Sequence, residues 1–494
     1  LRLSLTLLVS SERMEVDIPW RALSVVPRDT ILKAQTFSSL SLQPELLKNI
    51  ESLGYAEMTP IQAQGLPPIL LGKDVIGQAK TGSGKTAAFG LGILAGLDTR
   101  SLQVQALVLC PTRELADQVS KAIRQLARMS PNVKILTLCG GMPSRPQVKS
   151  LEHGAHVVVG TPGRVGKHLR TNKLNLETLR ILVLDEGDRM LEMGFQEEVD
   201  AVIGKTPVGR QTLLFSATYP RAIQSIAEKV MNEPVMAQVE SNPDGGNIQQ
   251  LFCKCGGGDA ERLIALRLLL QEQRAESALV FCSTKLETQD VRDELVGLGY
   301  SAVALHGDLD QSERDETLVL FSNKSVSVLV ATDVAARGLD IDSVDTVINY
   351  RMARDVEVHV HRIGRTGRAG SKGVACTLLG TRDSSTMDEL ESHFGKTFQT
   401  KALPPWKVLS SPIAIAPMAT LHIRMGKRQK VRAGNILGLL TGKTGLQGDQ
   451  IGKISVCDNW TYAAVARDAV DAALKKIATE TWKGKPIKAW RMKE

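Results

Sequence analysis

Asp74-Val-Ile-Gly-Gln-Ala-Lys-Thr-Gly-Ser-Gly-Lys-Thr86 reads as a short strand, Asp74 to Ile76, that passes through a glycine-bearing loop into a helix beginning near Thr86. At such a turn, backbone N–H groups at the positive end of a helix can cradle phosphate. Lys85 can then reach the β and γ oxygens, and the Thr86 hydroxyl can ligate magnesium. The strict GxxxxGK(S/T) spacing asks for glycine at position 79, where this chain has Ala79, so the match is to a variant. A glycine turn beside a chance lysine is the competing reading of the loop taken alone.

Working outward, apolar β-branched runs recur, and almost every one ends in a small polar cluster. Ala106 to Cys110 precedes Pro111-Thr112-Arg113-Glu114, Val133 to Cys139 precedes Gly140-Gly141, and His156 to Val159 precedes Thr161-Pro162-Gly163-Arg164. Ile181 to Leu184 ends on Asp185-Glu186, and Leu213 to Phe215 on Ser216-Ala217-Thr218. Helical spacing intervenes, as in Leu115, Val119, Ile123 and Leu126. The alternation predicts a buried parallel sheet that binds ligands beyond the carboxyl ends of its strands, where the polar clusters fall.

A second series runs through Ala278 to Phe281, Ala302 to Leu305, Val326 to Val330 and Thr346 to Ile348, with Val291, Leu295 and Leu298 on one helix face and no phosphate loop of its own. Glu240 to Gly246 reads as a hinge between two lobes, and the proline-bearing stretch Lys401 to Pro417 as a second linker. From Met418 the order becomes β-α-β-β-α-β, a ferredoxin-like frame often used for RNA. The expected fold is α/β, two tandem parallel-sheet domains followed by a small α+β domain. The expected boundaries are a leader over 1–35, lobes over 36–239 and 247–400, the linker 401–417 and a basic domain over 418–494.

The chain's net charge of +8 is unevenly placed: residues 418–494 hold 15 Lys and Arg against six acids, a net +9, and the other 417 residues carry about −1. Such a terminal excess suits a phosphate backbone, whose neutralisation releases condensed counterions. Lys427, Arg428 and Lys430 are the cations most suited to it. Trp460 and Tyr462 are candidates for base stacking, although hairpin aromatics are more often core. The seven cysteines show no repeated CxxC pairing, which points to a reducing cytoplasm without structural zinc. The apolar run Leu5 to Val9 is shorter than the roughly 7 to 15 residues of a signal-peptide core, and no run approaches the roughly 18 needed to span a bilayer.

Two adjacent acids at the end of a buried strand are costly unless used. Asp185 is suited to holding magnesium, partly through water, and Glu186 to orienting and deprotonating an attacking water. His361-Arg362-Ile-Gly-Arg365-Thr-Gly-Arg368 supplies cations that could neutralise a transferring γ-phosphate, or alternatively contact RNA phosphates.

Taken together, Ala79 to Thr86, Pro111 to Ala116, Thr161 to Arg164, Asp185-Glu-Gly-Asp188, Ser216-Ala-Thr218, Ala331 to Asp340 and His361 to Arg368 resemble the ordered motif set of the DEAD-box RNA helicases. The resemblance spans about Phe37 to Gly380, and the wider wording, including Glu57 to Gln62 and the basic C-terminal domain, resembles the bacterial DbpA group. It implies tandem RecA-like domains with an RRM-like C-terminal domain. It also implies an RNA-dependent ATPase that separates short duplexes using ATP and Mg2+, acting as a cytoplasmic monomer with no membrane partner.

By the same resemblance, Phe37, Thr59 and Gln62 recognise adenine; Ala79, Lys80, Thr81, Gly82, Ser83, Gly84, Lys85 and Thr86 hold the phosphates; and Asp340 contacts ribose. Lys85, Asp185, Glu186, Arg365 and Arg368 would be catalytic, with Arg365 and Arg368 as arginine fingers. Asp188, Ser216, Thr218 and His361 would couple hydrolysis to unwinding. Arg113, Gly141, Thr161, Gly163, Arg164, Thr332 and Arg337 would serve the RNA backbone or its link to ATP. The group resemblance extends to a structured element of 23S ribosomal RNA as target and large-subunit assembly as role. Gly187 departs from the family pattern, which has alanine there. An ATP-gated RNA clamp, a DNA-directed motor and, more remotely, a small-molecule kinase are the rival readings.

Overall fold

A computed structural model describes residues 36–79, 82–239, 248–256, 258–336, 344–367, 372–381, 383–442 and 445–493. The leader 1–35 and the hinge at 240–246 lie outside them. Two compact units result, one carrying the first large sheet and the other carrying the second large sheet together with the C-terminal domain.

The first sheet is parallel throughout. Its strands are β1 (Val75–Gln78), β2 (Ala106–Leu109), β3 (Ile135–Leu138), β4 (Val157–Gly160), β5 (Ile181–Asp185), β6 (Gln211–Ser216) and β7 (Val235–Gln238), in the order β3-β4-β2-β5-β6-β1-β7. Most strands are buried on both faces because helices cover them, which explains their unbroken apolar runs. Since β5, β6 and β1 are neighbours, the Asp185 turn, the Ser216 turn and the phosphate loop come out at one edge of the sheet. Asp74 lies just before β1 and anchors it, its buried carboxylate accepting the N–H groups of Thr212 and Asn232 at 2.7 Å each.

The second sheet repeats the plan. Its strands are β8 (Ile248–Lys254), β9 (Ala278–Cys282), β10 (Ala302–Leu305), β11 (Val328–Thr332), β12 (Thr346–Asn349), β13 (Gly373–Leu379) and β14 (Thr400–Lys401), in the order β10-β11-β9-β12-β13-β8-β14, again all parallel. The helix Lys285–Gly297 buries Val291 and Leu295, but Leu298 follows its last turn and is exposed, so the expected three-residue face stops at two. Residues 402–417 lie along this lobe: Leu403 and Ile413 pack on its core, and Gln271 donates to the Ser411 carbonyl at 3.2 Å.

The C-terminal domain has strands β15 (Met418–Ile423), β16 (Ile451–Val456) and β17 (Thr461–Ala466), a small hairpin of β18 (Thr481–Trp482) and β19 (Lys485–Pro486), and β20 (Ala489–Arg491). Its antiparallel sheet runs β16-β17-β15-β20, with helices Ala433–Thr441 and Val470–Thr479 packed on one face. The expected RecA-like pair plus ferredoxin-like domain is the fold observed. No helix among the described residues is long and apolar enough to cross a membrane.

Candidate active site

The helix Lys85–Ala95 starts where the loop after β1 turns back, and Gly84 takes the left-handed conformation there at φ 96°. A side chain at 84 would meet Gln62 Nε2 at 2.5 Å, so glycine is required twice over. Lys85 is buried and donates from Nζ to the Ala79 carbonyl at 2.6 Å, which folds its ammonium back over the loop. Gln62 ties the loop to the preceding segment: its Nε2 donates to the Gly84 carbonyl at 3.1 Å and its Oε1 accepts the Thr59 N–H at 2.9 Å. Phe37 is buried and stacked on Tyr55 at 6.3 Å, a partner the sequence reading did not name. The hydroxyls of Thr59 and Ser83 are buried without a hydrogen-bond partner among the described residues. Buried polar atoms are rarely left so unless a ligand or water completes them.

Asp185 ends β5 with its carboxyl wholly inside. Burial pushes its pKa up to about 7 although the Lys85 charge pulls it down, while Glu186 and Asp188 add repulsion. Its Oδ1 accepts the Glu186 N–H at 3.1 Å. Glu186 stands in the left-handed region at φ 51°, ψ 52°, and its Oε2 is held by Arg189 Nη1 at 3.0 Å in a pair buried on both sides. Arg189 was missed from the sequence; its signal was an arginine three residues beyond an acid at a helix start. Asp188 connects two motifs: its Oδ2 accepts the Thr218 N–H at 3.0 Å and the Thr218 hydroxyl at 2.9 Å, and its N–H donates to Ser216 Oγ at 3.3 Å. Lys85, Asp185, Glu186, Asp188, Ser216 and Thr218 are thus brought together within one lobe.

Other candidates sit apart from this cluster. Arg164 donates to Gln147 Oε1 at 2.9 Å, an oxygen that also lies 3.0 Å from His168 Nε2, so Gln147 is a further positioning residue beside Thr161, Gly163 and Arg164. Gly141 follows β3 in a left-handed turn and backs onto the Arg113 guanidinium. In the second lobe Thr332 closes β11, and Arg365 is buried with its carbonyl accepting the Val344 N–H at 3.0 Å. His361 is in the helix Val356–Ile363. Its neighbour Arg362 is a structural tie: it grips Asp333 at 2.6 and 2.9 Å, reaches Asn349 Oδ1 at 3.2 Å and the Arg351 carbonyl at 2.7 Å, and lies over Phe281. Lys80, Thr81, Arg337, Asp340 and Arg368 lie outside the described residues.

In the C-terminal domain, Lys427, Arg428 and Lys430 are exposed on a loop after β15 that is pinned by the Cys457 and Asp458 carbonyls, which accept the N–H groups of Lys427 and Arg428 at 2.9 Å each. Cys253 and Cys255 are in or beside β8, and among the described residues no group of three or more His, Cys, Asp and Glu is placed to hold a metal.

Comparison with known proteins agrees with this geometry. The DEAD/DEAH box helicase family matches residues 59–226, the helicase conserved C-terminal domain 260–370, and the DbpA RNA binding domain 420–491. The ATP-dependent RNA helicase DbpA of Escherichia coli K12 is 48% identical over 460 residues, 92% of this chain and 99% of that protein. The chain belongs to the DEAD-box ATP-dependent RNA helicases, in the DbpA group. The helicase CshA of Geobacillus kaustophilus is 44% identical over 72% of this chain and 76% of its own length. Among solved structures, S. cerevisiae Dbp5 bound to RNA and ADP BeF3 superposes with a TM-score of 0.67 at 32% identity, covering 75% of this chain and 96% of that one. As a DEAD-box helicase, the chain is an RNA-dependent ATPase.

Proposed function

We propose that this helicase acts on structured large-subunit (23S) ribosomal RNA during subunit assembly, as a cytoplasmic monomer anchored by the exposed Lys427, Arg428 and Lys430 loop. The observation that supports the reading is the pairing of the Lys85, Asp185 and Glu186 cluster in the first lobe with a basic C-terminal domain of the DbpA type. Contacts of the lobes to an RNA backbone position a strand without reading its sequence, so target choice falls to the appended domain. Tethering then raises effective concentration only for helices next to the anchor.

In the first lobe Phe37, Thr59 and Gln62 face adenine, the loop from Ala79 to Thr86 cradles the phosphates, and Lys85 offsets charge on the β and γ oxygens. Glu186, oriented by Arg189, accepts the proton of the attacking water. Asp185 and Thr86 offer hard oxygens that suit Mg2+, and a carboxyl lifted to about 7 by burial is a site that a cation would return to its ionised form. Bound there, the ion would neutralise charge on the leaving phosphate. The Asp188–Thr218 bonds link this cluster to the Ser216 turn, a route by which hydrolysis reaches the RNA. ATP and RNA together favour a closed arrangement in which Arg365 and Arg368 add charge to the transferring phosphate, and product release reopens it.

The test is steady-state ATP hydrolysis without RNA, with 23S ribosomal RNA and with unrelated RNA, in the natural chain and in the K427E/R428E/K430E variant. Stimulation selective for 23S RNA in the natural chain and lost in the variant is the expected result. Equal stimulation by all RNAs would overturn the proposed target.

A further inference from the structure

The helix Ser144–Glu152 lies at the surface of the first lobe, and the single side chain it buries is polar: Gln147, 8% exposed. An apolar side chain would fill that place without the cost of desolvating an amide, so the amide is explained by its hydrogen bonds. Its Oε1 has two donors. Arg164 Nη1 donates to it at 2.9 Å, and His168 Nε2 lies 3.0 Å away. Both stand on the helix Pro162–Arg170 at i and i+4, one turn apart on the same face.

His168 is 2% exposed, and its backbone carbonyl is tied down by the N–H groups of Lys173 and Leu174 at 2.9 and 3.2 Å. Burial above all, and then the Arg164 and Lys167 charges, hold its pKa below the ordinary value, so near neutral pH the ring carries one proton. An amide oxygen can only accept, which assigns that proton to Nε2. With Arg164 on one lone pair and His168 on the other, the amide cannot turn over without setting N–H against N–H. The imidazole thereby locks Gln147, and Gln147 sets the plane of the Arg164 guanidinium. The acceptor is also neutral. At Arg362 a carboxylate both orients the cation and cancels it, whereas an amide orients Arg164 and leaves its charge intact.

We propose that Gln147, locked by His168, is a positioning residue for RNA: it aims the Arg164 guanidinium at a backbone phosphate while keeping the cation uncancelled. This rests on the reading of Arg164 as an RNA-backbone contact and adds how that contact is set. Gln147 itself touches no RNA; its effect is carried entirely by Arg164.

ATP hydrolysis by the full chain, titrated with single-stranded oligouridylate at several salt concentrations, tests it. Gln147→Glu keeps the acceptor but adds a cancelling charge, and Gln147→Met keeps the length without the acceptor. Each should raise the RNA concentration for half-maximal stimulation by about tenfold, with kcat at saturating RNA within about twofold. The slope of log affinity against log salt should flatten by about 0.7, the size of one phosphate contact on a single strand. Arg164→Ala should show the same flattening, and adding Gln147→Glu to it should cost less than about twofold more, because the two act as one unit. His168→Phe should weaken RNA about threefold or more, and His168→Gln, which returns a donor near the Nε2 position, should restore most of that. A loss of kcat with the salt slope unchanged would mark Gln147 as a purely structural residue and overturn the proposal. So would Gln147 variants with natural RNA affinity beside an Arg164→Ala chain that has lost it. Natural affinity and slope in Arg164→Ala would remove the RNA role of Arg164 itself, and the proposal with it.

Discussion

The acidic turn of the first lobe and the arginine segment of the second handle buried charge in opposite ways. At Asp185 the balance is left open: a wholly buried carboxyl has one lysine near it and two further acids, and its pKa climbs to about 7. At Arg362 the balance is closed by a bidentate carboxylate, an amide oxygen, a carbonyl and an aromatic face. The difference separates chemistry from scaffolding. A group poised for a ligand carries an electrostatic deficit that the protein does not fill, whereas a group that holds the fold together has its partners already in place.

The largest effect should come from Glu186→Gln, which keeps the Arg189 contact but cannot take a proton. RNA-stimulated hydrolysis should fall by roughly 10² to 10⁴-fold with ATP still bound, as read by steady-state rates and nucleotide titration. Arg362→Ala should behave differently, lowering the stability of its unit by about 3 kcal/mol or more in denaturant unfolding, because Asp333 is left without its cation. If Arg362→Ala instead spared stability and abolished hydrolysis, the contrast drawn above would fail.

Asp185→Asn sharpens the comparison through pH. The folded pKa of Asp185 is raised, so the stability it contributes as a neutral group is present below about pH 4 and lost as pH rises through about 7. Asparagine escapes that loss. In the nucleotide-free protein the unfolding free-energy advantage of Asp185→Asn, read by denaturant unfolding, should widen from pH 5 to pH 8 by an amount on the order of a few kcal/mol. A constant difference would mean that the carboxyl is not strained. The smallest effect is expected for Gly187→Ala. Its added methyl would meet Ile223 Cδ1 at 3.2 Å, a flexible chain end that can give by a few tenths of an ångström. A gain of about 0.5 kcal/mol in stability, with hydrolysis retained, is the expected outcome.

Much of this was legible because the first lobe writes its chemistry at strand ends. The runs before Gly140, Thr161, Asp185 and Ser216 could be placed to within a residue or two, and the phosphate loop was recognisable despite Ala79. The strands β7, β8 and β13 escaped notice, since Val235-Met-Ala-Gln and the mixed run of β8 lack a polar cluster to mark their ends. The Arg362–Asp333 tie joins residues 29 apart and leaves no local signal. Tyr462 was ambiguous between stacking and core, and it is core for a reason no domain-by-domain reading contains: its face is completed by another domain. Thr420, an ordinary β-branched strand residue in sequence, is buried on the same face with its hydroxyl 2.7 Å from Ser325 Oγ of the second lobe.

Glu186 occupies a backbone region that residues other than glycine, asparagine and aspartate seldom visit, at a cost on the order of 1–3 kcal/mol. On the proposed mechanism, selection for turnover keeps a glutamate at that spot. In a duplicated copy of the gene freed from that selection, codon 186 should be among the first of the motif codons to drift, toward glycine or asparagine, while Asp74 and Arg362 persist because folding still needs them. The backbone angle of one residue thus becomes a marker for telling working copies from decaying ones.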